Sequence, residues 1–531
     1  MRAAALCLTL VAAALLRQPA AAQGVAPEAA TTHGPVRGAV IDGIQVFKGI
    51  PYGASTAGES RFRAPQPPAA WRQVRDATRY GPRCYQLPAP PDADSAWRSW
   101  TDTSTMSEDC LTLSVWTPAL RDSARRPVMV WLHGGGYSVG SGNSSINEGV
   151  RLARRGDVVV VSVNHRLNLF GYLHLADLGG AAFADAGNAG QLDIIAALRW
   201  VRDNIQTFGG DPRNVMVFGE SGGGGKVGAL MAMPEAQGLF HRAAMQSGFG
   251  ITFNTREMGT AFASRFLQAL GLKREQMGEL RRLPPEKLLA ALNEVTGGSP
   301  IAIMPVVDGR HLPRHPFAPD ATSLSADVPL LVGYNATETT VLFPPPGVFE
   351  LDWSGLERQL SKEIPGIRAA EVISGLRALR PGATPSDLYF FITTERGMGN
   401  NARTVAERKS ALGRAPVFLY RLAWPTPVLG GKLRTPHSLD VPLVFDNVGA
   451  STSLVGNDTG TPQRVADAMS AAWIAFARSG SPNGPGLAQW PAFNPQRRST
   501  MTFDAASRSV DDPLRREHAV LAPYLLAPTV P

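Results

Sequence analysis

Asn214-Val215-Met216-Val217-Phe218-Gly219-Glu220-Ser221-Gly222-Gly223 is the stretch on which the reading of this 531-residue chain turns. Its first half is an apolar run of strand length, and a run of small residues able to open a helix follows it. A Gly-x-Ser-x-Gly turn between a strand and a helix is so tight that the residues flanking the serine must be nearly free of side chain. It lifts the serine Oγ clear of the backbone and aims it at a substrate. The bare pattern also arises by chance as a glycine-rich turn. The flanking strand and helix are what make Ser221 a candidate nucleophile.

Outward from this turn, strand-like and helical runs alternate from about residue 110 to 245. Val128-Met129-Val130-Trp131-Leu132 and Asp157 to Val163 are unalternating apolar runs, the pattern of strands buried on both faces. Leu192, Ile195, Leu198, Val201 and Ile205 recur every three or four residues and mark one face of a helix, which Gly209-Gly210-Asp211-Pro212 ends. Later strands are expected at Val328–Val332 and Val417–Arg421. Strand–helix alternation implies an α/β fold: a mostly parallel central sheet with helices on both faces. The polar-rich helical segment from about 255 to 300 reads as an insertion that caps the sheet. The Pro- and Trp-rich stretch from Tyr85 to Met106 reads as a long surface loop, in which Trp97 and Trp100 either pack the loop down or line a site. No internal repeat or long linker appears.

A serine hydroxyl is a poor nucleophile until a base takes its proton, and the usual base is a histidine held by a carboxylate. In a parallel sheet carrying this turn, the order along the chain is serine, acid, histidine. Of the nine histidines, His437 and His518 lie far enough beyond Ser221. His518 falls in a helix-like tail, whereas His437 lies in a loop beyond the Val417–Arg421 strand, where ligands of parallel sheets bind. His437 is therefore the expected base, with activity falling below about pH 6.5 as it protonates. For the acid, Glu338 follows the Val328–Val332 strand. Asp308 competes with it, and Asp440 stands close in sequence to His437. The oxyanion of an acyl-transfer intermediate needs backbone donors. His133-Gly134-Gly135-Gly136 follows a strand and supplies two candidates, Gly135 and Gly136, with Gly222 after the serine as the third.

Composition is that of a globular chain: 44% apolar and 18% charged. The net charge of +8 comes from scattered residues with no basic run interleaved with aromatics, so no nucleic-acid partner is expected. No metal or organic cofactor is expected, since no His/Cys cluster of zinc type is present. Arg2, the apolar core Ala5–Leu16 and Ala20-Ala21-Ala22 read as a signal peptide over residues 1–22, cleaved after Ala22 and too short to span a bilayer. This leaves residues 23–531 as one secreted or periplasmic domain. Cys7 leaves with the signal. The remaining Cys84 and Cys110 are expected to form a disulfide, which for the 25 residues between them contributes about 3.5 kcal/mol in a chain-entropy estimate.

The ordered motifs resemble the type-B carboxylesterases, relatives of the cholinesterases with the α/β-hydrolase fold. They are Phe47-Lys48-Gly49-Ile50-Pro51-Tyr52, Ser107 to Trp116, Phe208-Gly209-Gly210-Asp211-Pro212, Gln246-Ser247-Gly248, Phe476-Ala477-Arg478 and Trp490-Pro491. The resemblance covers nearly the whole mature chain. It implies Glu338 as the acid, in Gly-x-Asn-x-x-Glu from Gly333, and makes Asp308 part of a structural Asp-Gly turn. It also implies His437 as the base, Glu220 as the carboxylate beside the nucleophile, and Ser247 as a hydroxyl near the histidine. Arg61–Glu108 and Arg166–Asp193 match its structural ion pairs, and Cys84–Cys110 its disulfide. The chain departs from the family at Gly222, where alanine is usual, and in the glycines that follow. Each of these costs the helix roughly 1 kcal/mol in propensity against alanine. The acidic residue usual before the acid is Thr337, and Thr339 replaces a common glycine.

The expected activity is that of a secreted serine esterase working through an acyl-enzyme on a small-molecule ester. The same triad would serve amides, lactones or polyesters. The reading from another class is a non-catalytic binding protein on the same fold, which typically lacks the serine or the histidine; both are present here.

Overall fold

The computed structural model describes residues 26–88, 101–299, 301–342, 344–458 and 460–526. The expected signal peptide, Trp97 and Trp100 lie outside them. The core is an eleven-stranded sheet. In chain order its strands are β1 (Ala39–Ile41), β2 (Ile44–Pro51), β3 (Thr112–Thr117), β4 (Arg126–Leu132), β5 (Val159–Val163), β6 (Gly210–Glu220), β7 (Arg242–Gln246), β8 (Leu330–Asn335), β9 (Val417–Leu422), β10 (Ser499–Phe503) and β11 (Arg508–Asp511). Across the sheet the order is β11-β10-β9-β8-β7-β6-β4-β5-β3-β2-β1. The run from β10 to β5 is parallel, and the strands outside it pair antiparallel.

The unalternating apolar strands are explained by two cores. Val128, Val130, Leu132, Val215 and Val217 enter one apolar cluster, while Met129, Trp131, Met216 and Phe218 enter another on the opposite face. On the first face lie α1 (Ala189–Asn204) and α2 (Gly222–Met231). On the second lies the later helix Gly460–Ser479, through Trp473 and Phe476. The segment expected to cap the sheet forms α3 (Arg256–Ala269) and α4 (Pro285–Thr296). Their Phe262, Phe266, Leu288 and Leu292 join the first cluster. β8 begins two residues later than expected, after Pro329, which has no N–H to give a ladder. Cys84 and Cys110 form the expected disulfide, and Arg61–Glu108 and Arg166–Asp193 are ion pairs at 2.6 Å, the second of them buried. No described helix is long and apolar enough to cross a membrane.

Candidate active site

The carboxyl ends of β4, β6, β7 and β8 lie side by side, so the segments leaving them share one edge of the sheet. Ser221 leaves β6 with φ 58° and ψ −123°, a conformation a non-glycine residue holds only at a cost of about 1–3 kcal/mol. Its amide donates to the Gln246 carbonyl at the end of β7, and α2 starts at the next residue. Ser247 (φ 47°) and Ser438 (φ 65°) are also held at positive φ. Such backbone strain concentrates where surrounding structure over-determines a site.

His437 lies in the loop between β9 and the short helix Asp440–Val444, and is 1% exposed. Its Nδ1 is 2.5 Å from Glu338 Oε2, which fixes Nδ1 as the protonated nitrogen of the neutral ring. Glu338 is fully buried just past β8, and its other oxygen accepts from the Ser247 hydroxyl and the Asn335 amide, both at 2.6 Å. The opposite ring nitrogen, Nε2, is 3.1 Å from Oε1 of Glu220, the residue before Ser221. The Ser438 hydroxyl donates to that same oxygen at 2.8 Å.

The histidine therefore sits between two buried carboxylates. Burial opposes its charge, but Glu220 and Glu338 outweigh burial and carry its pKa up to about 9. Burial pushes Glu220 up to about 8, against the pull of His437. The ordinary imidazole value expected from sequence is thus displaced upward, because two carboxylates share one ring out of reach of water.

The other acid candidates are occupied elsewhere. Asp308 accepts from Asn188 and from the Arg310 and Leu312 amides, a turn anchor. Asp440 is buried in hydrogen bonds from Gln246, Tyr420 and Asn335, and burial raises its pKa. His518 bonds to Glu395, far along the chain from the nucleophile turn.

The glycine loop leaving β4 lies against the serine turn. A Cβ on Gly134 would stand 3.3 Å from Ser221 Cβ, and one on Gly222 only 1.9 Å from the Gly136 carbonyl oxygen. The glycine found where the family usually has alanine therefore permits a close approach of two backbones. The loop carbonyls are tied back: Gly134 O is 2.9 Å from the His133 Nδ1, and Gly135 O accepts from the Ser138 and Val139 amides. A carbonyl and the next residue's N–H point opposite ways across one peptide plane. Anchoring these oxygens turns the Gly135 and Gly136 N–H groups the other way. Among the described residues, no group of three His, Cys, Asp or Glu side chains is arranged to hold a metal.

The sequence profile of the carboxylesterase family matches residues 25–346 and 386–521. The para-nitrobenzyl esterase of Bacillus subtilis (strain 168) is 36% identical over 503 residues, covering 93% of this chain and 98% of its own. The phenmedipham hydrolase of Pseudarthrobacter oxydans is 34% identical, covering 93% and 98%. The crystal structure of a Geobacillus stearothermophilus carboxylesterase at pH 6.2 superposes with a TM-score of 0.80 at 38% identity, covering 93% of this chain and 99% of that one. With its sheet, its serine turn and relatives spanning nearly its whole length, the chain belongs to the type-B carboxylesterase family: a carboxylic ester hydrolase of the α/β-hydrolase fold.

Proposed function

We propose that the chain is an exported serine esterase in which Ser221, His437 and Glu338 form the catalytic triad. His437 Nε2 takes the Ser221 proton as Oγ bonds to the ester carbonyl carbon, and the carbonyl π electrons move to oxygen. Glu338 holds the ring by Nδ1, and the Glu220 carboxylate stabilises the imidazolium as it forms. The amides of Gly135, Gly136 and Gly222 receive the oxyanion, the last at the amino end of α2, where backbone donors lack partners within the helix. The C–O bond to the alcohol then breaks as His437 returns the proton to the leaving oxygen. Water repeats the sequence on the acyl-Ser221 ester.

The observation that carries this reading is His437 itself. It is a buried imidazole with Glu338 on one nitrogen and, at the other, the turn that carries a strained Ser221. The Cys84–Cys110 disulfide supports export to an oxidising compartment, periplasmic or extracellular, of a single domain over residues 23–531. Small carboxylic esters are the substrates, and para-nitrobenzyl esters are the first to try, given the similarity to the Bacillus enzyme.

One mass measurement tests the whole reading. Exported protein treated with an organophosphate should begin at Gln23 and gain a single adduct at Ser221. Ser221→Ala should take no adduct and lose ester turnover while melting as the parent does. Ester turnover near the parent's in Ser221→Ala would refute the triad, and a mature protein still carrying residues 1–22 would refute export.

A further inference from the structure

Lys226, the fifth residue of α2, is wholly buried and ranks among the largest side chains with no exposure. A lysine in that position must be held by specific partners, because an unpaired buried ammonium is costly. Its Nζ donates to the His133 carbonyl at 2.8 Å and stands 5.6 Å from the centre of the Tyr137 ring. His133 opens the glycine loop. The carbonyl that Lys226 holds is thus the first of three consecutive loop carbonyls tied back, the next two being those of Gly134 and Gly135.

The surroundings are arranged around this contact. The His133 ring stacks on His165 at 4.7 Å with planes 8° apart. Burial, and then the Lys226 charge, holds both imidazoles well below the usual histidine range, so both are neutral. Each has Nδ1 against a backbone carbonyl, His133 on Gly134 and His165 on Arg166, which makes Nδ1 the protonated nitrogen in both. Neutral His133 can therefore anchor the Gly134 carbonyl while Lys226 anchors the one before it. Burial draws the lysine down to about 7, with Glu220 opposing. Charged or neutral, the amine keeps an N–H for the His133 oxygen.

We propose that Lys226 is a positioning residue for the oxyanion site: by holding the His133 carbonyl it fixes the first peptide plane of the glycine loop, and through it the placement of the Gly135 and Gly136 amides that receive the oxyanion. This rests on the Ser221 reading above. It assigns no contact between Lys226 and substrate, only control of the groups that make one.

The test compares Lys226→Met, which removes the donor, with Lys226→Gln, which keeps a neutral one. All rates are normalised to Ser221 sites titrated with an organophosphate, so that loss of folded protein does not count. An aliphatic trifluoromethyl ketone serves as the oxyanion probe. Its carbonyl carbon bonds to Ser221 Oγ, the proton passes to His437, and the carbonyl oxygen becomes the anion. In Lys226→Met, kcat per site should fall about 10- to 100-fold with KM within about threefold, somewhat less than the loss of a direct oxyanion donor. The ketone's inhibition constant should rise by a similar factor. Lys226→Gln should recover part of both.

Per-site kcat and ketone affinity within about threefold of the parent in Lys226→Met would overturn the proposal. So would a fall in kcat with unchanged ketone affinity, which would place the defect elsewhere. Failure of both variants to fold would make Lys226 a packing residue and overturn it too. None of these outcomes touches the Ser221 adduct, whose absence alone would sink the triad.

Discussion

Glu338 and Glu395 are both fully buried and each meets a histidine, and the two pairs have opposite surroundings. In the first, His437 Nδ1 meets Glu338 at 2.5 Å, and the ring's neighbours are two more carboxylates, Glu220 and Asp440. In the second, His518 Nε2 meets Glu395 at 2.9 Å, with Arg403 on the same carboxylate oxygen at 2.6 Å, Arg421 at 3.7 Å and the Tyr334 hydroxyl on its other oxygen. Burial works against the ionised forms of Glu395 and Glu220 alike. At Glu395 the His518 hydrogen bond and the arginines overcome it and draw the pKa down to about 2. At Glu220 nothing overcomes it, and the pKa rises to about 8. The second cluster ties the short helix Arg515–Leu521 to the end of the helix Pro385–Thr394 and to β8, with arginines beside its buried carboxylate. The first has more negative groups than cations, and they hold the ring's pKa up at about 9. Identical residue types thus make a clamp in one place and the proposed base in the other, and the neighbouring charges set them apart.

The largest expected effect separates the two histidines. His437→Ala should lower kcat on the order of 10⁴-fold or more at an unchanged melting temperature, as loss of a triad base does. His518→Ala should leave kcat within about threefold and lower the melting temperature. Steady-state kinetics and a thermal melt on both variants decide this. Equal kinetic losses would erase the distinction.

The next contrast is between the two acids. Glu338→Gln should reduce kcat about 10³- to 10⁴-fold, because the ring loses the acceptor that fixes its tautomer. Glu395→Gln should act on stability instead, by about 3 kcal/mol in urea unfolding, because Arg403 is left buried without its counter-charge. A Glu395→Gln protein as stable as the parent would show that the clamp contributes nothing.

The smallest effect is a shift in pH dependence. The base must be neutral to act, and His437's pKa is raised, so activity is present above that pKa and lost as pH falls through it. The acid limb of kcat/KM should therefore lie above the 6.5 of an ordinary imidazole. Glu220→Gln removes one of the carboxylates that favour the charged ring, and should move the limb downward by about one unit. A limb that stays in place would mean Glu220 does not bear on the histidine's charge.

Much of this was legible in the residues. Glycines around Ser221, an apolar run before it and small residues after it can form only a narrow set of backbone shapes, so the turn follows from local sterics. The sheet's parallel core follows from apolar runs that never alternate. The choice among acids was not local. Asp308, Glu338 and Asp440 each stand after or near a strand, and resemblance alone favoured Glu338. The fold supplies the contacts behind that choice: Asp308 anchors a turn while Glu338 reaches the ring. Lys226 left one visible trace, a lone charge among Gly225, Val227, Gly228 and Ala229, but a helix lysine can as readily extend to water.

What the sequence determined by itself is therefore the set of elements and the order of the reactive groups along them, because both depend on neighbours in the chain. The ionisation of those groups, the closeness of Gly222 to Gly136, and the burial of Lys226 were decided only in the tertiary structure. Dielectric, charge–charge distance and backbone contact all arise between segments that lie far apart in sequence.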